Sequence, residues 1–203
     1  MPYNDDICKL VIENIALLEE APLVIEEIEN NIFKEINSKF KEFFENYDNW
    51  EGAYLEEDEE TTVKPQKWPG DADGWYAYYT FKDDSDERNY PLTALLGETT
   101  LDKYAIYFGV DENNLCDMKN KSWKAFLKQQ YLARPDLKAN GVQLDGQYLS
   151  IPIRLDRKVV AAEYPDFEEC LTPIAEAINT LMKVHPLIDE IVQEALKQNN
   201  SGK

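Results

Sequence analysis

The sequence predicts an α+β fold in which a small, mainly antiparallel sheet is flanked by N-terminal and C-terminal helices. Three observations favour this class. Apolar residues recur at helical spacing through the first 50 residues, short alternating segments lie between residues 61 and 155, and helical spacing returns after residue 166. A chain of 203 residues with a hydrophobic fraction of 43% is large enough to form one full core.

The N-terminal segment is predicted to form two helices. Apolar residues recur from Ile7 to Leu18 at spacings of three and four, and Pro22 then suits the first turn of a second helix. The second helix carries one apolar stripe of Ile25, Ile28, Ile32, Ile36, Phe40, Phe43 and Tyr47. We therefore expect a helical hairpin lobe over residues 1–50 and an α+β body over residues 51–203, within one compact domain overall.

The middle of the chain is predicted to be rich in strands. Residues 61–63, 75–81 and 104–110 favour strands, whereas residues 91–96 fit either a short strand or a turn of helix. Between residues 142 and 149, Asp145-Gly146 separates two alternating segments, which predicts a type I′ hairpin. Its second strand continues to residue 155 with apolar residues on one face, and Pro152 indicates an edge strand or a bulge.

Two further helical regions are predicted. Residues 122–131 place aromatic and aliphatic side chains on one side, with Ser122 as the N-cap. The last region begins at Asp166 or Thr172, is interrupted by Pro186 and continues to the C-terminus.

The charge of the chain is strongly uneven. Forty acids and 21 Lys or Arg residues give a net charge of −19, and residues 1–60 alone hold 18 acids and 4 bases, a net −14. Residues 119–158 form the only basic segment of the sequence. Such a field repels nucleic acid and anionic membranes and favours a basic protein surface as partner, so we expect direct nucleic-acid binding only through residues 119–158.

Several classes of protein are disfavoured by the residues present. No apolar run approaches the roughly 18 residues that span a bilayer, and Asp5 and Asp6 stand where a secretion signal carries basic residues, so we expect a cytoplasmic protein without membrane contact. No Gly-x-Ser-x-Gly elbow or phosphate loop occurs. A single histidine and three distant cysteines predict no metal site and no cofactor.

The leading candidate for partner binding is a run of five consecutive acids. The run comprises Glu56, Glu57, Asp58, Glu59 and Glu60. An acidic run is usually a solvated loop. Together with the acidic outer face expected for the long N-terminal helix, it favours a non-enzymatic acidic binding protein of the inhibitor, immunity or nucleic-acid-mimic type.

Two alternatives remain open. Asp156-Arg157-Lys158 has the Asp-x-Lys arrangement of restriction-type nucleases, in which carboxylates hold Mg²⁺, and Asp136 would supply the second acid if antiparallel pairing brought residues 134–138 toward 153–158. That pairing would also gather an anion-binding cluster of Arg134, Lys138, Arg154, Arg157 and Lys158. The other alternative is a structural subunit that forms a homo-oligomer through its N-terminal helices.

Overall fold

The computed structural model describes residues 5–54, 61–71, 74–83, 90–97 and 103–201. Its helices are α1 (Asp5–Glu13), α2 (Ile15–Glu45), α3 (Pro91–Leu95), α4 (Glu112–Cys116), α5 (Asn120–Ala133), α6 (Pro135–Ala139), α7 (Arg157–Glu163) and α8 (Thr172–Ser201), with a 3-10 turn at Glu169–Leu171. The undecided stretch after residue 90 is thus a short helix, which begins with Pro91 in the first turn, where a missing N–H costs no hydrogen bond.

Among the described residues, six strands form one antiparallel sheet, namely β1 (Trp50–Tyr54), β2 (Thr61–Pro65), β5 (Ala77–Asp83), β6 (Tyr104–Val110), β7 (Gln143–Asp145) and β8 (Tyr148–Ile153). Their order across the sheet is β1-β2-β5-β6-β8-β7, while β3 (Gly70–Asp71) and β4 (Gly74–Trp75) pair separately. Each pair of neighbours in the large sheet is antiparallel. The predicted α+β class, with a mainly antiparallel sheet between N-terminal and C-terminal helices, is confirmed.

The hairpin between β7 and β8 is present, but its turn is not the predicted one. Asp145 pairs with Tyr148, so the two loop residues are Gly146 and Gln147 rather than Asp145 and Gly146. Gly146 has a φ of 62°, whereas Gln147 is not among the described residues with positive φ. A type I′ turn needs positive φ at both central residues, so the type I′ assignment is wrong. Glycine is required only at the first position.

The core lies between one face of the sheet and the two long helices. Helix α2 packs beside β1 and β2, α8 packs beside β8, and the two helices also contact each other. Ile32, Ile36 and Phe40 of α2 are essentially inaccessible to solvent, as are Leu181 and Ile191 of α8. Removing such side chains from water is the main favourable contribution to folding.

Two buried polar contacts connect α2 to the rest of the molecule. Glu29 is buried, and its Oε1 accepts a hydrogen bond from the backbone N–H of Leu92 at 2.8 Å. Asn37 accepts a hydrogen bond from the Thr61 hydroxyl at the start of β2. Because buried polar groups are costly unless they are paired, these contacts fix the position of α2 along the sheet.

The expected interruptions of the two long helices at proline are wrong. Pro22 lies inside α2 and Pro186 lies inside α8. The fixed φ of proline is itself helical, so each removes one backbone hydrogen bond without ending the helix. In α8, the buried neighbours Val184 and Ile188 hold the helix against the core.

The first two helices follow one another instead of folding back as a hairpin. They are separated only by Asn14, whose N–H bonds to the Leu10 carbonyl at 3.1 Å, and the Leu18 N–H bonds to the Asn14 carbonyl at 3.0 Å. Helical hydrogen bonding therefore continues across the junction. The division into residues 1–50 and 51–203 stays a prediction, although the second half of α2 shares one core with the sheet and α8.

Candidate functional site

The N-terminal arm, which we define as residues 5–26, extends beyond the body of the molecule. Every residue from Cys8 to Glu20 is exposed, and the arm ends where the Tyr164 hydroxyl meets Oε1 of Glu27 at 3.3 Å. At 1.5 Å per residue the arm is about 33 Å long. It carries eight exposed large apolar residues, namely Leu10, Val11, Ile12, Ile15, Leu17, Leu18, Leu23 and Val24. Single exposed apolar residues are ordinary, but eight in one segment indicate an interaction surface.

The same arm is acidic. Six carboxylates and one lysine give it a net charge of −5, and Lys9 pairs with Asp6 at 3.5 Å. Glu13, Glu19, Glu20 and Glu26 are all exposed and have no ion-pair partner among the described residues. The arm therefore combines an apolar surface with an uncompensated negative field.

The five-acid run predicted to bind a partner lies outside the described residues. Strand β1 ends at Tyr54 and β2 begins at Thr61, and Tyr54 pairs with Thr61. The run from Glu56 to Glu60 is therefore attached at one end of this strand pair. Its role in binding stays a prediction.

The predicted cluster of charges between residues 134 and 158 is divided between two places. Arg134 lies between α5 and α6, where its Nε donates to Glu190 Oε2 of α8 at 3.3 Å and its Nη1 donates to the Gln130 carbonyl at 3.3 Å. Asp136 and Lys138 lie in the first and last turns of the short helix α6. Residues 135–139 form α6, and neither they nor Arg134 pair with β8, since the strand pairing begins at Gln143.

The other half of the cluster surrounds the beginning of α7. Arg154, Asp156, Arg157 and Lys158 line a surface cavity of about 560 Å³ together with Leu96. The Asp156 side chain caps α7 by accepting a hydrogen bond from the Lys158 N–H at 2.8 Å. A carboxylate in this position satisfies a free N–H of the first turn, which is the usual role of an aspartate N-cap.

The structure does not bring the two candidate metal-binding acids opposite each other. Asp136 lies in α6, before β7 begins, whereas Asp156 caps α7 after β8 has ended. The pairing of β7 with β8 joins only residues 143–145 to residues 148–150, so it does not extend to either acid. In the part of the chain that the structure describes, no three His, Cys, Asp or Glu side chains are grouped to hold a metal ion.

A cleft around the single histidine was not predicted from the sequence. His185 of α8 lines a cavity of about 520 Å³ with Asn49, Trp50, Pro65, Gln66 and Lys67. The Trp50 ring lies 4.9 Å from the imidazole centroid, and the Trp68 ring lies 5.5 Å from it. The His185 Nδ1 is 2.9 Å from the Tyr79 hydroxyl.

Burial determines the protonation states of His185 and Tyr79. It lowers the pKa of His185 to about 4, with nearby Lys67 acting in the same direction and Asp189 against it. Burial, and then the charge of Asp189, raise the pKa of Tyr79 well above its usual value. The imidazole is therefore neutral and the phenol protonated at neutral pH. We expect the Tyr79 hydroxyl to donate to Nδ1, which places the imidazole proton on Nε2.

An ion pair closes the rim of the cleft. Asp189 Oδ2 accepts from Lys67 Nζ at 2.7 Å, and Oδ1 accepts from Trp68 Nε1 at 2.8 Å. Burial opposes the ionisation of Asp189, but these two hydrogen bonds outweigh it and lower its pKa. The cleft can offer one imidazole N–H, two amide side chains and an indole surface. These groups can hydrogen-bond and stack, and they provide no activated nucleophile.

Comparisons with known proteins add no relative. No protein-family model, no curated protein and no solved structure matches the chain. Among the described helices, none combines the length and the apolar character needed to cross a membrane.

Proposed function

We propose that the chain is a non-enzymatic acidic binding protein, of the inhibitor, immunity or nucleic-acid-mimic type, that presents a carboxylate-rich helical face to a basic partner protein. The observation that carries this proposal is the exposure of Glu13, Glu19, Glu20 and Glu26 on the arm, which protrudes from the body. Unpaired carboxylates on a protruding helix attract a basic surface over a distance of about one Debye length, about 8 Å at physiological salt.

The energetic contribution of such contacts is modest for one pair and substantial for several. An exposed ion pair contributes about 0.2–1 kcal/mol, so four pairs formed with a partner contribute about 2 kcal/mol, or roughly 30-fold in Kd. Because salt screens these pairs, the affinity should fall steeply as ionic strength rises. The five acids from Glu56 to Glu60 would add to this field if they face the same partner.

The test is capture from an extract of the source cells on the immobilised chain, followed by a salt gradient. We expect a basic protein to elute at moderate salt. The quadruple variant E13Q/E19Q/E20Q/E26Q should lose it. The matched control removes four exposed acids of the body instead, namely Asp117, Glu168, Glu169 and Glu176.

The control variant D117N/E168Q/E169Q/E176Q carries the same change in net charge, so it should retain the captured protein. Equal retention by both variants would mean that the arm carboxylates are not the contact. A captured protein whose binding is insensitive to salt would refute the acidic-face proposal as a whole.

The exposed apolar residues of the arm favour a second candidate, a structural subunit that pairs its arm with another copy. This candidate predicts a dimer whose population rises with protein concentration. Sedimentation of the wild-type chain at micromolar concentration tests this directly, and a monomer there contradicts the structural-subunit candidate.

A further inference from the structure

One face of α2 continues from the core into the arm without a change of register. Ile15, Leu18, Pro22, Ile25, Glu29, Ile32 and Ile36 follow one another at spacings of 3, 4, 3, 4, 3 and 4, so they form a single stripe along the helix. From Glu29 onward this stripe is buried against the body. Toward the N-terminus the same stripe leaves the body, and Ile15 and Leu18 are 54% and 44% exposed.

The part of this stripe that precedes Glu29, which we call the ridge, consists of Ile15, Leu18, Pro22 and Ile25. Ile25 is half-buried where the ridge joins the body. Apolar residues at spacings of three and four on one helix pack into the grooves of a second helix at 8–10 Å. The ridge therefore has the pattern of a helix-binding seam, and Ile15 and Leu18 in its first half are exposed.

The charges beside the ridge select the second helix. Glu19 and Glu26 each directly follow a ridge residue and lie seven residues apart, so they border the ridge on one side. In paired helices these positions face the flanking charges of the partner. A second copy of the arm carries the same net charge of −5 and, paired antiparallel, would place Glu19 and Glu26 against the same carboxylates of its partner. A helix flanked by lysine or arginine would neutralise them.

We infer that the partner contributes an amphipathic basic helix, with an apolar seam at spacings of three and four and Lys or Arg at its borders, which docks on the ridge. This inference rests on the proposed function, because it specifies which element of a basic partner the arm receives. It adds a requirement for shape that charge alone does not impose. The acidic side chains attract the partner, and the ridge selects a helix.

The experiment uses the full chain and two synthetic 18-residue peptides made of leucine and lysine. In one peptide the leucines recur at spacings of three and four, and in the other the same residues are scrambled so that no seam forms. Fluorescence anisotropy measures the affinity of each. We expect the seam peptide to bind at least about tenfold more tightly than the scrambled peptide.

Two uncharged variants test the location. The ridge variant I15Q/L18Q should lose at least about tenfold in affinity for the seam peptide. The control variant I12Q/L23Q removes two residues that are off the ridge and more exposed, at 73% and 71%, so it should bind nearly as well as the wild type. All four positions are exposed, so neither variant should affect folding.

The outcomes separate the two proposals. If both peptides bind equally and the ridge variant is unaffected while E13Q/E19Q/E20Q/E26Q abolishes binding, the helix-docking inference is wrong and the acidic-face proposal stands. If that quadruple variant binds both peptides undiminished, the acidic-face proposal fails. If the wild-type chain sediments as a dimer that I15Q/L18Q dissociates, the ridge pairs with a second copy and the inference is overturned.

Discussion

Two alanine substitutions on the same helix should have very different effects on stability. Ile36 and Leu17 both belong to α2, but Ile36 is 0% exposed in the core whereas Leu17 is 66% exposed on the arm. Removing a buried isoleucine side chain costs about 2–5 kcal/mol, because apolar contacts are lost and a cavity remains. Truncating an exposed leucine to alanine should change the free energy of unfolding by about 0.5 kcal/mol or less.

Urea unfolding followed by circular dichroism measures both changes. With an m-value of about 2.5 kcal/mol/M, a loss of 3 kcal/mol lowers the midpoint of Ile36→Ala by about 1.2 M. We expect the midpoint of Leu17→Ala to move by about 0.2 M at most. Repeating the Leu17 experiment at a tenfold higher protein concentration controls for self-association. A shift as large as that of Ile36→Ala would refute the reasoning, because it would mean that Leu17 is covered in solution.

Three further predictions concern the histidine cleft and the cap of α7. The pKa of His185 is about 4 in the folded chain, below its ordinary 6.5, so the unfolded chain takes up the proton first and stability should fall as the pH drops from 6.5 to 4. His185→Gln should flatten that decline, and the single imidazole NMR signal should titrate near pH 4; titration near 6.5 would contradict burial. Asp189→Ala leaves Trp68 Nε1 without its acceptor and should cost about 1–3 kcal/mol in thermal unfolding, whereas an unchanged midpoint would mean that water replaces the carboxylate. Asp156→Ala removes the acceptor for the Lys158 N–H and should cost about 1 kcal/mol by the same assay; a variant as stable as the wild type would argue against the cap.

The predicted class of fold was correct because periodicity reports which side of each element is buried. Two examples are the strand at Tyr104–Val110 and the alternation of Leu149, Ile151 and Ile153. Both segments are buried in the core, and the spacing of their apolar residues indicates that burial. The interruptions expected at Pro22 and Pro186 failed because proline removes one hydrogen bond without specifying where a helix ends.

The candidate sites were less predictable because they depend on distances between remote parts of the chain. The apolar spacing of α2 predicts a buried stripe along its whole length, and nothing local distinguishes the exposed Ile15 from the buried Ile36. The cleft of His185 joins Trp50, Lys67 and residues of α8 that are more than 100 positions away. The one available signal was the single histidine, and one histidine without a surrounding motif does not predict a cleft.

The position of Pro22 has a dynamic consequence for the arm. Because proline lacks an N–H, the carbonyl of Leu18 has no helical donor, and this gap lies within the arm, before α2 reaches the body. Fluctuations that open the first turns of α2 can therefore stop at Pro22 without disturbing the turns that contact the sheet. Amide hydrogens before Pro22 should exchange with solvent much faster than those of Ile32 or Ile36. A helix docked on the ridge would slow the exchange of the first group alone, so binding can stabilise the arm without changing the stability of the core.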